Sequence, residues 1–262
     1  MSSSSDYAVV VRDLGIKYDL RLKRRRTLRH TLAQLLSGDA SGTLGRNEFW
    51  ALQGVTFALG RGEVLGVIGD NGSGKSTLLQ VVAGVLRPDA GALTTFGSRA
   101  TLLTLGAGFE HELTGRENVY LNAAYLGFTR EKIEQELEAI IEFSELGHFI
   151  ESPVLTYSAG MRSRLGFSIA AHLEPQILLL DEIMNVGDAR FKLKSQEKVG
   201  ELMGRAEAIL VVSHGPDFVR SVATKVLWLD RGRVVRLGDP EDVLEEYLKA
   251  SNAPRAQTPT AA

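Results

Sequence analysis

The sequence predicts an α/β fold in which buried strands alternate with helices, with further strands toward the N-terminus and a helical portion inserted midway. Three observations carry that reading. A short apolar run, Val64 to Ile68, passes through a glycine-rich turn directly into a helical segment that begins at Lys75. Two more short apolar runs, Ile177 to Leu180 and Ile209 to Val212, flank a helical pattern from Lys192 to Met203, the alternation of an α/β core. Between these halves, Glu117 to Phe149 changes to helical spacing, with Ile133, Leu137, Ile140 and Ile141 on one face.

Taken from the start, Met1 to Asp6 is a serine run without the charged lead and apolar stretch of a signal peptide, so no secretion is expected. Tyr7 to Val11 alternates as a strand, and Lys17 to Arg29 is polar and arginine-rich. Leu28, Leu32, Leu35 and Leu36 then recur at helical spacing until Ser37-Gly38, which gives a short amphipathic helix. Asp39 to Asn47 reads as a loop, Trp50 to Leu59 as a strand, and Arg61-Gly62 as the turn into Val64 to Ile68. After a helix from Lys75 to Ala83 come a turn at Pro88 to Gly91 and short strands within Ala92 to Leu105. A helix follows Ser158, and a hairpin crosses Asp230-Arg231-Gly232. Asp239-Pro240 opens a last helix, with a capping residue and a proline at its first position. Residues 1–250 are expected to form one domain that contains a basic amphipathic insertion over 21–47 and a helical portion over about 106–172. Residues 251–262, small and polar, are expected to be a disordered tail.

Composition narrows the class. With 262 residues, 44% hydrophobic and 24% charged, the chain can bury a core of its own, which excludes disordered and collagen-like readings. A net charge of −2 gives no overall attraction to nucleic acid, and no nucleic-acid partner is expected. The absence of cysteine excludes a disulfide framework, a thiolate metal centre and a cysteine nucleophile. No run approaches the roughly 20 apolar residues that cross a bilayer, so a membrane role is expected only through a partner or a surface contact.

The glycine-rich turn carries the chemistry. Gly69-Asp70-Asn71-Gly72-Ser73-Gly74-Lys75-Ser76-Thr77 matches G-x-x-x-x-G-K-[ST] between an apolar strand and a helix, the context that a phosphate-binding loop requires. Gly72 and Gly74 let the backbone curl so that successive N–H groups converge on an anion, and the helix adds its positive end. Lys75 would bridge the outer phosphates, and the Ser76 hydroxyl would ligate Mg²⁺, a hard cation that prefers oxygen. A second buried run ends in two acids, Leu180-Asp181-Glu182. Asp181 would hold the magnesium through water and Glu182 would polarise the attacking water. An apolar strand ending in acids is common at exposed strand ends, and it gains this meaning only beside the phosphate loop.

Tyr157-Ser158-Ala159-Gly160-Met161 lies about twenty residues before Asp181 and opens a helix. With the loop, the acidic strand and His214 after Ile209 to Val212, it resembles the ABC (ATP-binding cassette) ATPases over roughly residues 50–240. The resemblance implies a P-loop NTPase fold with a RecA-like core, an antiparallel β subdomain and an inserted α-helical subdomain. It implies catalytic roles for Glu182, His214 and Lys75, and contacts to ATP from Asn71, Gly72, Ser73, Gly74, Lys75, Ser76 and Thr77. Ser158 and Gly160 would reach the γ-phosphate held by a second copy, and Asp188 would belong to the loop that crosses the dimer. An aromatic residue before the phosphate loop stacks on adenine in this family. Tyr18 stands at the usual place, and Trp50 is the alternative because the 21–47 segment disturbs the spacing.

Three features narrow the resemblance. The signature continues as Arg164-Leu165-Gly166-Phe167; Leu105-Gly106-Ala107-Gly108-Phe109 precedes Leu113-Thr114-Gly115-Arg116-Glu117-Asn118; and Val186-Gly187-Asp188 follows the acids. These are similar to the ATPases that export lipid-linked polysaccharides such as O-antigen, capsule-like polymers, teichoic acid and galactan. The final helix lies close to position 262, so the chain resembles members without a C-terminal carbohydrate-binding domain. Residues 101–118 contain no glutamine, whereas most ABC ATPases place a magnesium-binding glutamine there; Gln80 and Gln135 lie elsewhere, and one ligand stays unassigned. The implied assembly is a homodimer with two copies of a polytopic transmembrane permease at the cytoplasmic face of the cytoplasmic membrane, meeting the lipid-linked glycan indirectly.

Arg24, Arg25 and Arg26 belong to a basic cluster beside the amphipathic helix, a combination that suits an anionic membrane surface. They are expected to help receive the pyrophosphate head group of the substrate; a solvated basic face or a permease contact is the competing reading. Two rival functions stand beside export: an ABC ATPase for another substrate, and a soluble ABC ATPase acting on ribosomes or DNA, which would carry two cassettes or a long coiled coil. A non-catalytic scaffold would lack Glu182 or His214, and both are present.

Overall fold

The computed structural model describes residues 6–19, 48–96, 100–102, 108–173, 175–181, 188–213 and 215–252. Two long strands, β1 (Tyr7–Asp19) and β2 (Glu48–Gly60), pair antiparallel, and β4 (Ala90–Thr95) joins the other edge of β1 to make a three-stranded sheet ordered β2-β1-β4. The β1–β2 pairing carries several register shifts, and its buried Val11, Leu14, Leu52 and Val55 share one core with Leu65 and Val67 of the second sheet. The expected strand at Tyr7 to Val11 therefore runs eight residues further, because polar Lys17 and Asp19 are tolerated where one face of the ribbon meets solvent.

The second sheet is ordered β5-β6-β7-β3-β8-β9, from β3 (Val64–Ile68), β5 (Ala100–Leu102), β6 (Ile177–Asp181), β7 (Ala208–Val212), β8 (Lys225–Asp230) and β9 (Arg233–Gly238). Its first five strands are parallel and β9 closes it antiparallel. The β8–β9 hairpin turns at Arg231 and Gly232 with φ of 45° and 77°, the left-handed pair that a two-residue hairpin needs. β6 and β7 are buried along nearly their whole length, as their uninterrupted apolar runs require.

Helix α1 (Lys75–Val82) leaves β3 and lies between the two sheets, where Leu78, Leu79, Val81 and Val82 join the main core with Leu65, Val67, Leu210 and Leu227. The helical pattern expected over Glu117 to Phe149 resolves into α2 (Gly115–Tyr125), α3 (Arg130–Ser144) and a short 3₁₀ turn at Gly147–Glu151; a second 3₁₀ turn at Val154–Thr156 leads to α4 (Ala159–His172), the helix expected after Ser158. Gly127 breaks the pattern between α2 and α3, and Thr129 caps α3 by accepting from the Lys132 N–H. These helices enclose a separate core around Val119, Ile133, Leu137, Ile140, Leu165 and Ile169.

Helix α5 (Ala189–Arg205) links β6 to β7 and extends past the expected Lys192 to Met203 at both ends. Its Phe191, Val199 and Leu202 bury against Phe167, Leu178 and Ile209 in a third cluster that joins the helical lobe to the sheet. Helix α6 (Pro216–Val222) and the last helix, α7 (Pro240–Asn252), cover the outer face near β8. Asp239 accepts from the Glu241 N–H at the start of α7, as the Asp-Pro pair predicts. The helix runs through Asn252, so residues 251 and 252 are helical rather than the start of a tail; residues 253–262 lie outside the described residues. No helix among the described residues is long and apolar enough to cross a membrane.

Candidate nucleotide site

The parallel sheet places the candidate residues at one edge. Val67 of β3 is in register with Val212 of β7, which is in register with Asp181 of β6, so the strand end before the loop, the acid and the end of β7 share the carboxyl edge. Order reverses around β3, whose neighbours β7 and β8 both follow it in sequence, and such a reversal opens a crevice for ligands. Glu182 and His214, as well as 103–107 and 182–187, lie outside the described residues, and so do Arg24, Arg25 and Arg26 with the whole 20–47 segment.

Loop 69–77 has the backbone that its glycines imply. Gly69, Gly72 and Gly74 have φ of 145°, 79° and 106°. A Cβ on Gly74 would sit 2.7 Å from the Ala51 carbonyl oxygen and from Leu52 Cδ2, so this position tolerates no side chain. Gly74 is also the N-cap of α1 and offers no side-chain acceptor, which leaves the first-turn N–H groups of the helix facing the loop. Lys75 is buried, and its Nζ donates to the carbonyls of Gly69 at 2.7 Å and Asp70 at 2.9 Å. Its charge therefore lies across the mouth of the loop. Ser73 Oγ is buried without a hydrogen-bond partner among the described residues. An unpaired buried hydroxyl is costly, and an anion in the cradle would satisfy it.

These observations fit a nucleotide with its metal. The curled backbone, uncapped helix end, orphaned Ser73 hydroxyl and Lys75 suit the phosphates; exposed Ser76 and the partly buried Asp181 at the end of β6 suit the cation. No group of three or more acidic or histidine side chains that would hold a metal by themselves occurs among the described residues. Asn71 and Gly72 are exposed and Thr77 is half-buried on α1.

The two aromatic candidates separate. Trp50 packs its ring against Gly15, where a Cβ would come within 2.7 Å of it, and the Lys17 ammonium lies 4.5 Å from its ring centre. Tyr18 instead pairs in register with Phe49, ring centroids 5.8 Å apart, and both rings are exposed. Phe49 was invisible in the sequence because its significance depends on cross-strand pairing with Tyr18. The same strand, at Ala51 and Leu52, abuts Gly74 of the loop.

Ser158 caps α4, its Oγ accepting from the Met161 N–H at 3.1 Å, and Ser158, Ala159 and Gly160 are exposed. The cap and an open helix end coexist here. Tyr157 is buried beneath them and its hydroxyl donates to the Phe149 carbonyl at 2.6 Å. Burial, with the nearby Glu151 charge, pushes its phenol up to about 12. Asp188 caps α5, accepting from the Phe191 N–H at 3.0 Å, and pairs with Arg164 of α4. That backbone bond, aided by Arg164, holds its carboxyl below the usual range. Arg164 also faces Glu145 at 3.6 Å, and Glu145 meets Lys194 of α5 at 3.2 Å. The sequence names Arg164 within the signature run but gives no sign of these partners.

The family model described as ABC transporter matches residues 52–185, half of the chain. The chain is 45% identical over 203 residues to the O-antigen export system ATP-binding protein RfbB of Klebsiella pneumoniae, covering 78% of this chain and 82% of that protein. It is 42% identical over 209 residues to the teichoic acids export ATP-binding protein TagH of Lactococcus lactis, covering 80% of this chain and 45% of that longer protein. Its fold is that of the ATP-binding cassette MJ0796, solved as a dimer in a post-hydrolysis state with ADP and Pi: TM-score 0.65, 18% identity, 88% of this chain and 98% of that one. A phosphate loop, an acid-ended strand and a helical lobe carrying Ser158, together with these matches, place the chain in the ABC transporter family as an ATP-binding ATPase.

Proposed function

We propose that this ATPase drives export of a lipid-linked polysaccharide, O-antigen or a related surface glycan, across the cytoplasmic membrane. The observation that carries the reading is the 45% identity to an O-antigen export ATP-binding protein over most of both chains. The identity to a teichoic acids export protein points to the same substrate class, a polymer on a lipid carrier.

In this reading two copies pair head to tail. Ser158 and Gly160 lie exposed on the helical lobe, whose core is separate from the one beneath loop 69–77, and so are free to meet the ATP of a second copy. Lys75, the N–H groups of Gly72 to Thr77 and Ser73 Oγ hold the phosphates; Ser76 and Asp181 hold Mg²⁺; Glu182 and His214 serve the attacking water and γ-phosphate. Tyr18, beside Phe49, takes adenine, and Trp50 shapes the strand beneath. Asp188 acts through its cap and its pair with Arg164, and its place between the copies follows from the family resemblance alone.

A largely apolar groove of about 560 Å³ between α1 and the helical lobe is lined by Gln80, Val85, Leu102, Tyr125, Leu126 and Ile169. Val85 and Tyr125 are among its most exposed large apolar residues. It suits a short helix of a polytopic permease, which would hold the subunit at the cytoplasmic face of the membrane. Arg24, Arg25 and Arg26 are proposed to receive the substrate head group; neutralising them should impair export and spare basal ATPase activity.

The reading is tested by isolating the tagged chain from its native membranes and identifying the membrane protein that accompanies it. In parallel, Lys75→Ala is introduced and lipid-linked glycans are measured inside the cell. A polytopic partner and an accumulating lipid-linked glycan are expected. Unchanged glycan pools with export intact would overturn the proposal.

A further inference from the structure

Helix α7 is seated on the strand that feeds the phosphate loop. Its buried Val243 and Leu244 pack in one cluster with Ile68, Val219 and Val226, and Ile68 is the last residue of β3 before Gly69. Ile68 is in register with Trp228 of β8, and the Trp228 ring meets Tyr247 edge-on with centroids 5.5 Å apart at 75°. From that stack the Tyr247 hydroxyl reaches Asp70 Oδ1 at 3.5 Å, the outer limit of a hydrogen bond, with a carboxylate as acceptor. The helix is fixed in place by Arg236 pairing with Glu246 and by Arg220 with Glu241 at 3.1 Å.

Asp70 matters because of its backbone. Its carbonyl accepts both the Lys75 ammonium at 2.9 Å and the Ser73 N–H at 3.1 Å. A group that orients Asp70 therefore orients the lysine and the first turn of the cradle together. On this side the Ser73 carbonyl also accepts from the Gly232 N–H at 2.9 Å. Asn71, Gly72 and Ser73 border a cavity of about 430 Å³ whose other walls include Arg231, Ala250 and Ser251. Tyr247 is the point at which α7 crosses that gap and touches the loop.

We propose that Tyr247 is a positioning residue for nucleotide binding: through Asp70 it holds the loop in the shape that receives phosphates, so that the C-terminal helix sets ATP affinity. The inference rests on the reading of residues 69–77 as the ATP cradle. A loop already held in its binding shape loses less conformational freedom when ATP arrives, so the effect falls on affinity rather than on the chemical step.

The test uses the full chain and Mg-ATP, with the dissociation constant from titration calorimetry, KM and kcat from steady-state hydrolysis, and the thermal midpoint. Tyr247→Phe keeps the ring against Trp228 and removes only the hydroxyl; Asp70→Ala removes the acceptor; the double variant closes the cycle. Tyr247→Phe should weaken ATP binding and raise KM by about three- to tenfold, the scale of one hydrogen bond to a charged group in a partly exposed setting, with kcat and the midpoint unchanged. The double variant should bind no more weakly than Asp70→Ala alone. Parental affinity in Tyr247→Phe, additive losses in the double variant, or a fall in midpoint that accounts for the lost affinity would each overturn the inference. If the parent chain binds no better than Lys75→Ala, the cradle reading falls and this inference with it; parental binding with an unaffected Tyr247→Phe sinks the inference alone.

Discussion

Arg164 of the signature helix pairs with Asp188, the residue that caps α5, and so ties the helical lobe to the segment that follows the acidic strand. Glu145, held at the end of α3 with φ of 55°, faces the same guanidinium and also binds Lys194 of α5. The Arg164 guanidinium lies 5.2 Å from the Phe191 ring centre and the Lys194 ammonium 4.3 Å from that of Phe143, so the charges sit over an aromatic cluster. Loss of Arg164 leaves two carboxylates without their shared cation. Arg164→Gln should lower the unfolding free energy by about 1–2 kcal/mol in urea titrations, the scale of hydrogen bonds to charged groups.

Asp188→Ala removes the helix cap as well as the ion pair, whereas Asp188→Asn keeps an acceptor for the Phe191 N–H. The alanine variant should therefore melt below the asparagine variant. Because the folded carboxyl is held below its ordinary value, its contribution is present above the usual carboxylate range and is lost as pH falls through the lowered value. Thermal midpoints of parent and Asp188→Asn should converge below about pH 4. Curves that stay parallel to pH 3 would contradict the assignment.

Gly74→Ala places a methyl group against the Ala51 carbonyl at a φ of 106°. It should cost about 1–3 kcal/mol of stability through backbone strain and clash, and should abolish ATP binding because the cradle no longer closes. Gly72→Ala is the contrast. Its φ is also left-handed, but no atom lies within 4 Å of the added Cβ, so the fold should suffer less than at Gly74. Calorimetric titration with Mg-ATP and urea unfolding distinguish the two.

Gly115 opens α2 against Tyr157, and a Cβ there would strike the tyrosine hydroxyl and approach the Ile150 carbonyl to 3.0 Å. Gly115→Ala should destabilise the chain by about 1–3 kcal/mol through overpacking, and should disturb the signature segment that Tyr157 underlies. Adding Tyr157→Phe removes the struck atom. The double variant should recover part of the loss in urea unfolding although Tyr157→Phe alone forfeits the bond to Phe149. A double variant less stable than the sum of the singles would refute this packing account.

His172 ends α4 edge-on to Phe143 at 5.0 Å, and its Nδ1 lies 2.9 Å from the Ser168 carbonyl. Burial pushes the imidazole below its ordinary value, with Lys198 and Lys194 nearby adding to the fall. A lowered folded value means that the unfolded chain takes up the proton first. Stability is then full above about pH 6.5 and declines as pH falls through the folded value. His172→Gln should flatten the midpoint-versus-pH curve between about pH 6.5 and 5; an unchanged slope would refute the role.

Much of the site was legible because its chemistry is local. The run Gly69 to Thr77 needs consecutive N–H groups, positive-φ glycines and a helix start, all of which are written in adjacent residues. Asp239-Pro240 and Asp230-Arg231-Gly232 likewise announced a helix start and a hairpin from neighbouring residues, and both formed there. Phe49, Arg164, Glu145 and Tyr247 were not legible in this way. Each gains its meaning from a partner far along the chain: Tyr18 across a strand pair, Asp188 24 residues on, Lys194 49 residues on, and Asp70 177 residues back. Periodicity also blurred α2 and α3 into one helical stretch, because apolar spacing continues across the Gly127 break.

The sequence by itself determined the phosphate cradle, the acid-ended strand, the order of the motifs and hence the family, because short-range backbone geometry and residue chemistry specify them. Tertiary structure alone decided that Val67, Val212 and Asp181 share one sheet edge, that Trp50 is packed while Tyr18 stays open, and that α7 leans on the phosphate loop. The physical reason is that strand order, register and helix docking are settled by burying apolar faces against distant partners, and no window of neighbouring residues contains both sides of such a contact.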